Sequence, residues 1–380
     1  MTIHWCGTGL SAIPGLRRLI ENGHDVVVWN RTVAKAEEAV GDIAKDIRAF
    51  EMDAITNATQ MGDIVVSMLP GDWHVPLAEM CISKQANFVS SSYIAPEMRA
   101  LDAAALDAGV ACVNEVGLDP GIDHLMAHYL VADYRASSGY DANNDISFVS
   151  YCGGIPKEPN PFRYKFSWSP LGVLKALRSP SKSIKNYTEL NVSRPWDAIS
   201  TYDAPLPTPE SFEVYPNRDS LPFMQDYRFE NSWRVKEFVR GTLRLNGWKD
   251  AWSDVFAEIE TLKGPEGEAR LEEMSSGFWR DNAYDEGEPD RVVMFVALKC
   301  EKDGVPTYHK TYVMDAWGDA RGTAMARLVS NPVALAVEAV ANRAIPAGVH
   351  AAPHDPKLVQ DWLKEVDTLA QHLQIVDHLG

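Results

Sequence analysis

The chain has 380 residues, enough for two or three domains with a buried core, and its 53 acidic against 36 basic side chains leave a net charge of −17. Such a field repels polyanions, so nucleic acid and anionic membrane surfaces are excluded as expected partners, and an anionic substrate would need arginines supplied by its own site. No apolar run approaches the roughly 20 residues of a membrane span, and the five cysteines are dispersed without a C-x-x-C; a cytoplasmic protein with reduced thiols and no metal is expected.

Residues 2–32 predict a strand, a tight glycine turn, a helix and a second strand, "DVVVWN". The turn, Gly7-Thr8-Gly9-Leu10-Ser11-Ala12, is a G-x-G-x-x-A form of the dinucleotide fingerprint. Its first glycine permits the turn, the second lets backbone approach a pyrophosphate, and the small third residue packs helix on strand. Gly7, Gly9, Leu10 and Ser11 are therefore expected to line a cofactor held on the helix N-terminus. Where an NAD site would offer an acid to the ribose, the second strand ends in Asn30-Arg31-Thr32. That trio suits a 2′-phosphate, so NADP(H) is preferred over NAD(H).

The alternation continues with apolar strands at 63–71 and 86–94, a helix at 95–109 closed by glycine, and the strand and turn "VACVNEVGLDPG" at 110–121. Strand ends at Met68-Leu69-Pro70, Ser91-Ser92-Tyr93 and Gly117-Leu118-Asp119 would open on the carboxyl edge of one parallel sheet, where open α/β sheets bind ligands. Leu69, Pro70 and Ser91 thus join the expected cofactor contacts, and Asp119 is placed beside the reactive end. A plainer reading makes Asp119 a helix N-cap with Pro120 at the first helical position. His124 and His128 have zinc-like i, i+4 spacing, but the H-E-x-x-H glutamate is missing, and they read as ordinary helix residues.

From about residue 145 the pattern turns β-rich, with a hairpin expected around Asp303-Gly304. The acidic stretch 262–291 reads as an insertion or lid, the set Trp168, Trp233, Trp248 and Trp252 as core packing or an interdomain surface, and 323–345 and 356–373 as helices. The fold class is α/β: an N-terminal Rossmann dinucleotide-binding domain over 1–122, an inserted α+β mixed-sheet substrate and dimerisation domain over 123–330, and C-terminal helices over 331–380 returning to the Rossmann domain. A homodimer is expected.

Six ordered stretches, "SSYIAPEMRALDAAALDAGV", "NEVGLDPGIDHLMA", "SYCGGIP", "YKFSWSPLGVLKA", "VYPNRDS" and "VRGTLRLNGW", together resemble the saccharopine reductase family, the NADP-dependent, glutamate-forming saccharopine dehydrogenases of lysine metabolism. The resemblance implies an oxidoreductase on the C–N bond of a secondary amine with a small polycarboxylate amino-acid substrate. It implies Tyr93, Asp119 and Cys152 near the reacting carbon. It implies substrate contacts from Ser92, Tyr93, Leu118, Asp119, Arg218, Thr242, Leu243 and Arg244. An arginine fork matches a carboxylate as lysine cannot. Carboxynorspermidine or lysine 6-dehydrogenase activity is the alternative within the superfamily, and an NADPH-binding regulatory protein the alternative outside catalysis.

Overall fold

The computed structural model describes residues 1–380 and divides into two compact units, one of residues 1–125, 320–322 and 326–369, the other of residues 126–319, 323–325 and 370–380. In chain order the strands are β1 (Ile3–Cys6), β2 (Val26–Asn30), β3 (Asp46–Ala49), β4 (Ile64–Ser67), β5 (Asn87–Ser90), β6 (Ala111–Val113), β7 (Asp145–Pro156) and β8 (Ser181–Lys185). They continue with β9 (Thr188–Val192), β10 (Ser200–Ala204), β11 (Glu210–Pro216), β12 (Arg234–Leu245), β13 (Asp290–Lys302), β14 (Val305–Trp317), β15 (Gly348–His350) and β16 (His372–Asp377).

The first unit holds a seven-stranded parallel sheet in the order β15-β6-β5-β4-β1-β2-β3. Helices on a parallel sheet cover both faces, which is why β1 and β4 are mostly apolar and buried along their whole length, His4 and Ser67 included. On one side Trp29, Val65, Phe88 and Cys112 pack with Leu77, Cys81 and Ala105 from helices. The strand order reverses between β1 and β4, so the crevice at their carboxyl ends is a topological switch point. The expected helix over 95–109 is two short ones, Pro96–Arg99 and Asp102–Ala108, the second closed by Gly109 at φ 71°.

The capping reading of Asp119 and Pro120 is corrected here, because the helix starts at Ile122. Asp119-Pro120 is a cis peptide in a closed turn, in which Gly117 N donates to Pro120 O at 2.9 Å and Ile122 N to Gly117 O at 3.0 Å. Gly121 sits at φ +146°, and a Cβ there would lie 2.1 Å from Gly117 O, so the turn needs glycine. Asp123 takes the local backbone role, accepting the Gly121 N–H at 2.7 Å. One later helix, Ala324–Ala341, has the length and composition of a membrane span, contrary to the expectation of no such run, but 83% of it is buried inside the protein.

The second unit holds a nine-stranded mixed sheet, β10-β11-β12-β7-β13-β14-β16, with β8 paired to β12 and β9 to β8. Only β12 and β7 run parallel; every other pair is antiparallel. The hairpin β13–β14 turns at Asp303 and Gly304, both at positive φ, as a two-residue turn matched to strand twist requires. One core gathers Phe212, Leu243, Val293, Phe295 and Val313. Another gathers Tyr164, Trp248, Trp252, Phe256 and Leu271.

Most of the acidic stretch forms the helix Gly264–Asn282, which buries Leu271 and Met274 in that second core and turns its charged residues outward. The chain's last strand also departs from the helix pattern read over 356–373: the helix ends at Leu369, and β16 pairs with β14 from Asp315–His372 to Lys310–Asp377. An edge strand of this kind is decided by its partner's hydrogen bonds, which its own sequence does not display.

Candidate active site

The first unit builds a cradle from its opening residues. Gly7, directly after β1, has φ +104°, and a Cβ there would come 2.8 Å from Met68 O, so close passage of the two strand ends requires glycine. A Cβ on Gly9 would meet nothing within 4 Å, which leaves open space above the turn for a ligand. The helix Ile13–Glu21 begins behind it with buried Ala12 as its cap, no side-chain cap bond and no acid in its first turn. Pro14 has no N–H and Gly15 N donates to Ser330 Oγ at 2.8 Å, so it is the positive dipole end and the backbone of the glycine turn that favour an anion here. Leu10 is exposed and Ser11 half-buried on the same turn.

At the end of β2, Asn30 fastens the turn, accepting from Thr8 N at 3.3 Å and donating to Thr32 O at 2.8 Å. Arg31 stands exposed beside it with no acid at the strand end. Leu69, Pro70 and Ser91 follow β4 and β5; Ser91 Oγ lies 3.9 Å from Met68 Sδ. The residues present fit a dinucleotide with a 2′-phosphate.

Tyr93, three residues beyond β5, donates its phenolic hydrogen to Asp119 Oδ1 at 2.9 Å. Two strand-end motifs read separately in the sequence thus converge on one hydrogen bond, both side chains half-buried. Ser92 next door is held by His74, whose Nε2 is 2.8 Å from Ser92 Oγ and whose Nδ1 is 2.9 Å from Ser67 Oγ. Burial pushes the His74 imidazole down to about 4, with Asp72 opposing, so it is neutral at physiological pH. Leu118 is buried in the Asp119 turn.

Sequence reasoning missed His74. The available signal was a histidine opening the helix after "LPGDW". It also passed over Glu115, on the same strand exit as Asp119, and treated His124 as an ordinary helix residue; His124 Nε2 lies 3.0 Å from Glu115 Oε2.

In the second unit the candidates other than Arg218 fall on one sheet. Cys152 on β7 pairs in register with Thr242 on β12, and Arg244 is two residues further along the same strand, hence on the same face. Leu243 between them points the other way, into the core with Phe212 and Phe295, while its carbonyl accepts from Arg244 Nη1 at 3.0 Å. Arg244 is 6% exposed. Its guanidinium carbon lies 4.8, 5.8 and 5.4 Å from the ring centroids of Tyr164, Tyr215 and Trp248, and its Nε has no hydrogen-bond partner.

The nearest acid in register, Glu213, is occupied with the N–H groups of Gly247 and Lys249 at 2.9 and 2.8 Å. Burial pushes the Tyr215 phenol up, with Arg244 pulling against it. Trp248 is thus core packing and wall of the arginine box at once. Arg218 lies in the exposed turn after β11 at φ 56°, where its carbonyl accepts from Lys182 N at 2.8 Å.

A doubly wound sheet with a glycine-turn cradle, followed by a mixed sheet, is the architecture of a dinucleotide-binding oxidoreductase. Residues 3–113 match the saccharopine dehydrogenase NADP binding domain, and residues 117–369 the saccharopine dehydrogenase C-terminal domain. The chain belongs to the saccharopine dehydrogenase family. It is 29% identical to the saccharopine dehydrogenase (NADP(+), L-glutamate-forming) of Saccharomyces cerevisiae, with 95% of each chain covered. The corresponding Pyricularia oryzae protein is 35% identical over 64% of this chain, a match that spans 54% of that relative's length.

The solved structure of apo saccharopine dehydrogenase (L-Glu forming) from S. cerevisiae has a TM-score of 0.80 at 26% identity, covering 99% of both chains. Homospermidine synthase from Legionella pneumophila shares the fold, with a TM-score of 0.67 at 10% identity.

Proposed function

We propose that the chain is an NADP(H)-dependent oxidoreductase acting on the C–N bond of saccharopine. In this reaction saccharopine, NADP and water give glutamate, 2-aminoadipate 6-semialdehyde and NADPH, or the reverse. The observation that carries the reading is Arg244, a buried cation boxed by three aromatic rings with no carboxylate of the protein against it. Burying an uncompensated charge is costly, so such a group awaits an anion from outside, and a substrate carboxylate is the matching partner. One arginine takes one carboxylate, which lysine and carboxynorspermidine also carry, so the choice of saccharopine among them is supported by the likeness to the L-glutamate-forming enzymes.

The Gly7–Ala12 turn and the helix behind it hold the pyrophosphate, and Arg31 with Asn30 and Thr32 holds the 2′-phosphate. NADP(H) supplies the hydride exchange at the substrate carbon. In the absence of substrate Asp119 accepts the Tyr93 hydrogen. A substrate amine N–H takes that place on the carboxylate, which frees the phenol to donate to the oxygen of the carbinolamine formed when water adds to the imine. Cys152 and Thr242 line the sheet face that carries Arg244. A cytoplasmic homodimer is part of the proposal.

The test supplies purified protein with saccharopine and NADP or NAD and follows absorbance of the reduced nicotinamide. Turnover with NADP is expected. Silence with saccharopine but turnover with lysine or carboxynorspermidine moves the substrate. Silence with all three while NADPH still binds leaves the regulatory reading.

A further inference from the structure

We infer that Glu115 and His124 form a buried clamp that positions Tyr93 against Asp119, an inference that rests on the reading of those two residues as the reacting pair. Glu115 leaves β6 at φ +55°, a left-handed conformation that a glutamate holds only where its surroundings impose it. The reason lies in what it grips. Its backbone N–H donates to Ser92 O at 3.0 Å, and its Oε1 accepts from Ile94 N at 2.8 Å. One residue therefore brackets Tyr93 on both sides.

The other carboxylate oxygen is 3.0 Å from His124 Nε2, and His124 Nδ1 is 3.6 Å from Asp123 Oδ2. Asp123 in turn accepts the N–H of Gly121, two residues beyond Asp119, at 2.7 Å. A continuous polar chain thus runs from the loop carrying Tyr93 to the turn carrying Asp119. Its members are hardly exposed: 5% for Glu115, 2% for His124 and none for Asp123.

Burying three ionisable groups is a poor way to add stability, since apolar residues of the same volume often do as well. What such a network adds is position: the close polar contacts on His124 hold Glu115 and Asp123 against one imidazole, and the hydrogen bonds of Ile94, Ser92 and Gly121 to Glu115 and Asp123 set the two loops. His74 steadies the same loop through the Ser92 hydroxyl, from the β4 side. Glu115 and His124 are thereby positioning residues, and substrate contact is left to Tyr93 and Asp119.

The experiment uses the full chain with Glu115→Gln, His124→Gln and the double variant, with Tyr93→Phe and Asp119→Asn alongside. Glu115→Gln keeps an acceptor for Ile94 and loses the charge facing His124. Each single clamp variant is expected to lower kcat about 10- to 100-fold, as misplacement of a reacting group by up to an ångström does. NADPH affinity, read by nicotinamide fluorescence, should stay at the parent value. The double variant should fall no further than the worse single, because the two residues act as one unit.

Parent kcat in folded clamp variants, multiplicative losses in the double, or a lowered melting temperature with kcat intact would each overturn the clamp. Should Glu115→Gln fail to fold, His124→Gln and the neutral double carry the same test. If Tyr93→Phe and Asp119→Asn keep full turnover, the reacting-pair reading itself falls. If they lose it and the clamp variants do not, the clamp alone falls.

Discussion

Arg244 is a buried arginine of the second sheet and Arg291 a partly buried one, and they differ in what neutralises them. Arg291 on β13 is gripped by Asp315 through two bonds of 2.8 and 2.7 Å and by Glu210 at 2.9 Å. Arg244 on β12 has aromatic rings, one backbone carbonyl and an unbonded Nε. The first is a closed account of charge, complete within the fold. The second is open, and the opening defines a ligand. Burial by itself does not mark a functional cation; burial without a countercharge does.

The largest effects should come from breaking this pair of arginines in turn. Arg291→Ala strands Asp315 without its cation and should cost about 3–5 kcal/mol of stability in a denaturant melt, with substrate affinity little changed in the folded fraction. Arg244→Ala should do the reverse, raising the Michaelis constant for the dicarboxylic amino acid about 100-fold while stability and NADPH binding hold. Equal loss of substrate and NADPH binding in Arg244→Ala would remove its assigned role, and a neutral Arg291→Ala would remove the contrast.

His74 sharpens the comparison, because there the cost of burial is met by staying neutral. With its imidazole near 4 in the fold and near 6.5 in the unfolded chain, only the unfolded chain takes up the proton between those values. Stability should therefore fall as pH drops from about 6.5 toward 4, by up to about 3 kcal/mol from this group. His74→Gln should flatten that slope in melts across the window. An unchanged slope would mean that other groups set it.

The smallest expected effect belongs to an exposed cation. Arg31→Asp should shift preference from NADPH toward NADH by about tenfold, the worth of one charge-assisted hydrogen bond in partial solvent. An unchanged cofactor ratio would place phosphate reading elsewhere.

Much of the first unit was legible because its requirements are local. Gly7 must occupy a positive-φ turn beside Met68, Ala12 must be small, and the apolar run Ile64-Val65-Val66 makes a strand buried on both faces. Strand-end positions also pointed to Tyr93 and Asp119 separately. Their hydrogen bond was not legible, and neither were the bridges from His74 to Ser67 and Ser92 or from Glu115 to His124, since each depends on how separate strand exits are set side by side. The capping reading of Asp119 failed for a related reason: Asp-Pro followed by a helix looks like an N-terminus until the turn closed by Gly117 and Gly121 is seen to push the helix start to Ile122.

By itself, then, the sequence determined the parallel sheet, the glycine cradle and the β13–β14 hairpin, because backbone conformation and side-chain period are properties of neighbouring residues. Only the tertiary structure decided that the acidic stretch is a helix with a buried face, that β16 closes an edge of the second sheet, and that Arg244 is an uncompensated cation while Arg291 is not. Countercharge and burial are sums over groups far apart in the chain, and only the completed fold brings those groups within reach of one another.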